Sequence, residues 1–254
     1  MKIYSLFFSL LFAATFLGHG QEYEKVVGVW NALFLNNKLG EQFHITTELH
    51  HRTVNGFENL DQQIFRPSLN YKSPSGIQWT LGYSYLRNFK WGGEIKSEFF
   101  KEHNIWEQLQ FLIRGKKGGS FVNQLRLEHR FIEQRHGYKP YFFSSRIRYR
   151  FTYAYPLLKG QWAGNLKFVF YDEIFLILNP QGIPFAFNQN WTFFGINAKL
   201  SNKASLLTGF QKNTIARGED RYLKNRFLNT ILRSVSYTHL RAHETVLDLV
   251  CRLL

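Results

Sequence analysis

Charged and aromatic residues alternate between Tyr141 and Tyr155, which reads YFFSSRIRYRFTYAY. Arg146, Arg148 and Arg150 fall on one parity, and most of the aromatic residues fall on the other. Because successive residues of a β-strand point to opposite faces, this segment predicts a strand with one cationic and one apolar face. A row of guanidinium groups can pair with carboxylates on neighbouring strands or bind anionic molecules.

The same alternation on preceding segments adds charges of both signs to the polar face. The predicted interior charges are Glu107, Arg126, Glu128, Arg130, Arg146, Arg148 and Arg150. Inside a narrow barrel an unpaired charge is costly, so acidic and basic groups must pair across strands. We therefore predict a ladder of Glu–Arg contacts that partly fills a lumen. Such a ladder is either a structural plug or part of an anion-binding lumen.

Other residues that could carry chemistry are sparse. The sequence has no glycine-rich phosphate loop, no nucleophile elbow and no histidine pair at zinc-helix spacing. His44 and His50 share a strand face with Glu48, but a hydrogen-bonded or exposed pair explains them more simply than a metal. Ser144 and His129 would need a third, orienting group to form a hydrolase site. We predict no catalytic residue, metal or cofactor, and a protein that is not an enzyme.

The N-terminal residues have the pattern of an export signal. Lys2 precedes an apolar stretch at residues 5–17, and the small residues Gly18 and Gly20 stand before Gln21. A membrane-spanning helix needs about 20 apolar residues, and this run is shorter. The sequence therefore predicts a secretory signal peptide over residues 1–20.

The C-terminal residues match a translated DNA adapter. Residues 235–245 read VSYTHLRAHET, which a transposase-type sequencing adapter encodes, and residues 249–254 match its continuation. We interpret residues 235–254 as an artefact tail, which predicts a natural reading frame ending near Ser234 and a C-terminally truncated domain. Cys251 is the only cysteine and lies in this tail, so the rest of the chain can form no disulfide.

The intervening residues, 21–234, are predicted to form one β-domain. Aromatic residues make up 18% of the chain and recur in short alternating blocks, most regularly at residues 77–85. Segments of about ten residues, joined by short turns and longer loops such as 89–103, are typical of outer-membrane proteins. We predict an all-β fold, an antiparallel up-and-down transmembrane β-barrel of about 10–12 strands, and expect an even strand number.

The net charge of +14 indicates an anionic partner. Clustered arginines with interleaved aromatic residues would also suit single-stranded nucleic acid. Export places the protein away from nucleic acid, so we predict none. The expected partners are outer-membrane lipid, including lipopolysaccharide phosphates, and acidic small molecules.

Short motifs spread over the chain resemble a bacterial protein family. They are EQL at 107–109, RLEHR at 126–130, RIRYR at 146–150, YDE at 171–173, NQNW at 188–191 and GF at 209–210. Their order is similar to that in domain-of-unknown-function family 2490, over residues 30–233. The resemblance implies an exported outer-membrane barrel of a Gram-negative bacterium, and it transfers no catalytic or ligand-binding residue.

The leading functional interpretation is an outer-membrane β-barrel with a structural or passive role and a polar lumen able to bind or pass anionic molecules. The alternative is an exported soluble β-barrel that turns its aromatic face inward around an apolar ligand. A lipid-modifying outer-membrane enzyme is the third possibility. The tryptophans expected at the membrane interface are Trp30, Trp79, Trp106, Trp162 and Trp191.

Overall fold

The chain forms eleven β-strands and no helix within the residues that the structure describes. This computed structural model describes residues 23–89, 99–115, 118–134, 140–158, 164–178, 185–217 and 222–237. The strands are β1 (Tyr23–Lys38), β2 (Phe43–Val54), β3 (Asn59–Lys72), β4 (Gln78–Phe89), β5 (Phe99–Arg114), β6 (Ser120–Glu133), β7 (Tyr141–Pro156), β8 (Leu166–Leu178), β9 (Phe185–Lys199), β10 (Ala204–Ala216) and β11 (Tyr222–Tyr237). In the described part of the chain, no helix is long and apolar enough to cross a membrane.

The strands close into one barrel in which every strand pairs with its neighbours along the chain. These sequential pairs are antiparallel, as for Gln78 opposite Gln110, whereas β1 and β11 close the barrel in parallel. The predicted all-β barrel of about 10–12 strands is therefore confirmed. The expectation of an even number was wrong for the described residues. Eleven alternating strands leave the first and last strands running in the same direction, so they can only pair in parallel.

Two strand boundaries differ from the prediction. β5 begins at Phe99, so residues 99–103 belong to the wall and not to a loop. β11 includes residues 235–237 of the predicted tail, which pair with the end of β1. The predicted signal peptide, Trp162 and residues 238–254 lie outside the described residues.

The two faces of the wall have opposite polarity. Leu81 is 59% exposed and Phe210 is 62% exposed on the outside, whereas Ser84, Asn104 and Glu128 are almost fully buried inside. A soluble barrel would bury its apolar face and leave charges in water. This barrel does the reverse, because the alternation of its strands turns the polar parity toward the axis.

A glycine in β4 makes room for the largest interior side chain. Gly82 stands opposite Trp106 in the pairing of β4 with β5. A Cβ atom at position 82 would overlap the indole ring of Trp106. Glycine is therefore required here by space, and it allows Trp106 to turn into the barrel.

Candidate functional site: an arginine-rich lumen

The lumen is lined by one parity of each strand. On β5, Glu102, Asn104 and Trp106 are buried inside the barrel, while Ile105 and Glu107, on either side of Trp106, are exposed outside. The partner strand β6 carries its charges on the same inner side, because Trp106 is opposite Glu128 in the register. The local alternation of polarity therefore brings side chains from many strands to one axis.

A chain of ion pairs joins β6, β7 and β8 at the centre of the lumen. Glu128 accepts hydrogen bonds from Arg146 Nη2 at 2.6 Å and from Arg148 Nη1 at 2.6 Å. Glu173 accepts from Arg148 Nε at 2.9 Å and from Arg150 Nε at 3.0 Å. Each glutamate therefore bridges two arginines, and opposite charges alternate along the row, which offsets the cost of burying them.

Two further ion pairs flank this row. Arg130 forms a bidentate pair with Glu102, at 2.7 and 3.1 Å. Arg66 donates to Glu48 at 3.0 Å, and His50 lies 2.9 Å from the same carboxylate oxygen. These contacts extend the buried polar network across β2, β3, β5 and β6.

Aromatic rings pack against the guanidinium groups in the middle of the barrel. Arg148 lies 4.3 Å from the ring centre of Phe175, and Arg126 lies 4.0 Å from that of Trp106. Phe175 and Phe193 have no exposed surface, and Trp106 is 2% exposed. The rings provide cation–π stabilisation, and Trp106 also lines the cavity.

Some buried donors in this lumen have no acceptor among the described residues. Arg52 donates through Nη1 to Gln62 at 2.6 Å, but its Nε has no hydrogen-bond partner. The indole Nε1 of Trp30 also has none, and the Arg52 guanidinium stacks 4.0 Å above that ring. The Nη1 atom of Arg126 is likewise unsatisfied, with its nearest carboxylate oxygen, on Glu128, 3.8 Å away.

The interior arginines outnumber the glutamates that face them. The arginines are Arg52, Arg66, Arg126, Arg130, Arg146, Arg148, Arg150, Arg217 and Arg233, and the glutamates are Glu48, Glu102, Glu128 and Glu173. Buried positive charge without a counter-charge is costly in a low-dielectric environment. The described lumen therefore has donors and charge that suit a small anion.

Comparison with known proteins identifies the family of this chain. The family model described as "Protein of unknown function (DUF2490)" matches residues 27–224. The chain belongs to the DUF2490 family. A relative in Methylorubrum extorquens, itself an uncharacterized protein, is 26% identical over 169 residues, covering 66% of this chain and 69% of the relative. No solved structure matches the chain.

The structure of this DUF2490 protein places most of the predicted interior charges in the lumen. Arg126, Glu128, Arg130, Arg146, Arg148 and Arg150 all face the axis and take part in the contacts described above. The prediction was wrong for Glu107, which is exposed on the outer wall between Leu81 and Leu127 of the neighbouring strands. On β5 the inner parity belongs to Trp106, and Glu107 must point the other way.

The sequence reasoning missed several charged residues of the lumen. Glu102, Glu48, Glu173, Arg52 and Arg66 are interior but were not among the predicted charges. The signal for Glu173 was its neighbour Asp172, because adjacent residues of a strand point to opposite faces and one of the two carboxylates must face the lumen. In the structure Asp172 is the one that faces outward, where it accepts a hydrogen bond from Thr192 at 2.8 Å. For Glu48 and Glu102, only the contacts between strands show that they meet an arginine, Arg66 and Arg130 respectively.

The predicted interfacial tryptophans divide between the two faces. Trp79 is 56% exposed on the outer wall, as expected for a girdle residue. Trp30 and Trp106 are buried in the lumen, and Trp191 packs edge-on against Trp30 at 5.3 Å, so the expectation was wrong for these three. Each of these rings lies near an interior arginine: Arg52 is 4.0 Å from the ring centre of Trp30, Arg126 is 4.0 Å from that of Trp106, and Arg148 is 5.6 Å from that of Trp191.

The lumen holds one continuous cavity that is large enough for small solutes, and Trp106 and Arg148 are among the residues that line it. Its free volume is about 940 Å³. Towards one end, Gln78, Gln110 and Gln124 stand side by side on successive strands, and Arg150 follows Gln124 on the next strand. A row of neutral amides, which can both donate and accept hydrogen bonds, therefore lies beside the charged residues.

Two observations concern metal binding and enzymatic catalysis. Among the described residues, no group of three histidine, cysteine, aspartate or glutamate side chains could hold a metal ion. On the outer wall, His129 Nδ1 lies 3.2 Å from Ser145 Oγ, so the histidine meets Ser145 and not Ser144. No described residue forms a hydrogen bond with the other ring nitrogen of His129, although a serine–histidine hydrolase needs such a contact to orient the ring.

Proposed function

We propose that this DUF2490 protein is an outer-membrane β-barrel of a Gram-negative bacterium, with a passive role and a lumen that binds small anions. The observation that carries the membrane assignment is the polarity of the wall, apolar outside and charged inside. Membrane barrels have this arrangement, because lipid surrounds them and every backbone group is paired within the closed sheet.

The outer surface supports residence in lipid. Phe194 and Phe210 are 54% and 62% exposed on adjacent strands, with ring centres 5.8 Å apart. On the opposite side of the barrel, Trp79 and Leu81 are also more than half exposed. Moving a single large apolar side chain out of water is worth roughly 1.5–3 kcal/mol. A wall with many such residues would be unfavourable in water and stable in a bilayer.

The interior argues against the alternative, a soluble barrel that encloses an apolar ligand. Such a protein would need an apolar cavity, whereas the described centre contains the Glu128 and Glu173 ion pairs. The aromatic rings inside, such as Phe175 and Phe193, are fully buried against other protein groups. These two rings leave no surface free for a ligand.

Anion binding follows from the unsatisfied donors of the lumen. Arg52 Nε, Trp30 Nε1 and Arg126 Nη1 can each donate a hydrogen bond, and none can accept one. An anion accepts from such groups and offsets the excess positive charge. Because large rings such as Trp106 and Trp191 line the cavity, we expect small ions to bind there and bulky solutes to be excluded.

Cell fractionation tests the membrane assignment. We expect the protein in the outer-membrane fraction, with an unboiled sample that migrates differently from a boiled one on a detergent gel. Recovery in the soluble periplasm, with no heat-dependent shift, would refute residence in the membrane. That result would favour the alternative, an exported soluble barrel that binds an apolar ligand.

Tryptophan quenching tests the anion site, because Arg52 and Arg126 each stack on an indole. Iodide should quench the buried tryptophans of the reconstituted protein more strongly than caesium does. The double variant Arg52→Gln/Arg126→Gln should lose most of the iodide effect and keep the caesium effect. The matched control is Arg87→Gln, whose side chain lies on the outer parity of β4. Equal iodide quenching in the wild type and the double variant would contradict the proposal.

A further inference from the structure

The outer wall carries two adjacent cations on β10 and β11. Lys212 and Arg226 are direct cross-strand partners, and both side chains are exposed. Side chains at such positions have Cβ atoms about 5 Å apart, and like charges placed there repel each other. A pair of this kind next to the exposed apolar residues Phe210 and Leu228 needs an explanation.

No described acidic residue neutralises this pair. The outer neighbours on the flanking strands are Thr192, beside Lys212, and Val27, beside Arg226. Neither cation makes a side-chain hydrogen bond or ion pair with another described residue. Asp172 lies two strands from Lys212, about 10 Å away at the spacing of neighbouring strands. Its carboxylate is already occupied.

The carboxylate of Asp172 serves polar groups of β9. It accepts from Asn190 Nδ2 at 3.0 Å and from Thr192 Oγ1 at 2.8 Å. Lys212 and Arg226 therefore have no counter-ion within the described protein.

The two cations lie where the apolar surface of β10 and β11 ends. On one side, the next outward residues along the strands are Phe210, 62% exposed, and Leu228, 41% exposed. On the other side, the next outward residues are Thr214 and Lys224. A change from apolar to cationic side chains along a barrel wall matches the boundary between the hydrocarbon and the head groups of a bilayer.

We propose that Lys212 and Arg226 form a binding site for the phosphate head group of an anionic glycerophospholipid. This inference rests on the proposed residence in a membrane and adds a ligand class and two residues to it. The planar guanidinium donates two parallel hydrogen bonds to phosphate oxygens, and the lysine adds a second charge. The acyl chains of the bound lipid would then lie along Phe210 and Leu228.

The test compares lipid retention by the full chain. The protein is reconstituted in vesicles of phosphatidylcholine with phosphatidylglycerol, then released in mild detergent for native mass spectrometry. We expect preferential retention of phosphatidylglycerol by the wild type. The Lys212→Gln/Arg226→Gln variant should retain it roughly 25-fold more weakly, about five-fold for each lost charge near a membrane surface. The swap Lys212→Arg/Arg226→Lys keeps both charges and should restore retention.

The matched control removes two exposed lysines at the opposite end of the barrel, in Lys199→Gln/Lys203→Gln. An equal loss in this variant would overturn the proposal, because it would show only a general effect of charge. Preference for lipid A over phosphatidylglycerol, or a changed oligomeric state without changed lipid retention, would overturn it as well. Failure of every variant to enter vesicles would instead refute the membrane assignment, whereas normal insertion with unchanged retention refutes the lipid site alone.

Discussion

Replacement of Glu128 by glutamine should destabilise the barrel strongly. Glu128 is 1% exposed and accepts charge-assisted hydrogen bonds from Arg146 and Arg148 at 2.6 Å. Glutamine has nearly the same shape, so packing changes little. It removes the negative charge between two buried guanidinium groups and offers them an amide whose nitrogen cannot accept.

The expected cost follows from this geometry. Removing one partner of a buried ion pair costs about 3–5 kcal/mol, because the remaining charge stays buried without compensation. Arg148 keeps Glu173 at 2.8 Å, whereas among the described residues Arg146 keeps only Asn188 as a hydrogen-bond acceptor, at 3.2 Å. We therefore expect a value of about 3 kcal/mol, and most of it should arise at Arg146.

Urea unfolding in detergent micelles or vesicles measures this cost, with tryptophan fluorescence as the signal. The matched control is Glu107→Gln, the same substitution on the exposed outer face of β5. Surface changes of this kind usually stay within about 0.5 kcal/mol. In the double variant Glu128→Gln/Arg146→Gln, part of the loss should be recovered, since the uncompensated charge is gone. Equal stabilities for the Glu128 and Glu107 variants would refute the reasoning.

Further predictions concern space, closure and catalysis. Gly82→Val should lower the free energy of unfolding by about 1–3 kcal/mol in the same assay, because the new side chain overlaps Trp106; Gly40→Val, with open space around it, should change little. Truncation of the central rings in Trp106→Ala/Phe175→Ala should raise single-channel conductance in planar bilayers, and unchanged conductance would show that these rings do not close the lumen. The wild type and Ser145→Ala should show the same background hydrolysis of phospholipid, measured by release of labelled fatty acid. A loss of hydrolysis in the variant would contradict the non-enzymatic role.

Local sequence was sufficient to predict which segments form the wall and which charges alternate along β7. Arg146, Arg148 and Arg150 share a parity, and any extended conformation places them on one face. The same alternation placed Glu128 on the polar parity of β6, together with Arg126 and Arg130. These inferences needed no tertiary information, because the period of a β-strand is a local property.

Which residues of β5 face the lumen could not be derived in this way. Trp106 and Glu107 are adjacent, and polarity alone favours the glutamate inside and the tryptophan in lipid. The structure reverses this choice, because Gly82 on β4 opens a space for the indole and Arg126 on β6 stacks on it at 4.0 Å. Both contacts depend on neighbouring strands, which the local pattern does not specify.

By itself, the sequence determined that the chain is an all-β protein, that its strands alternate charge with aromatic groups, and that arginines exceed glutamates. Tertiary structure decided which carboxylate meets which guanidinium, as for Glu102 with Arg130 and Glu173 with Arg148. It also decided that Arg52 and Arg126 keep unsatisfied donors. Alternation is set along one strand, whereas partners are set by the register between strands, and closure of the barrel brings together residues far apart in the chain.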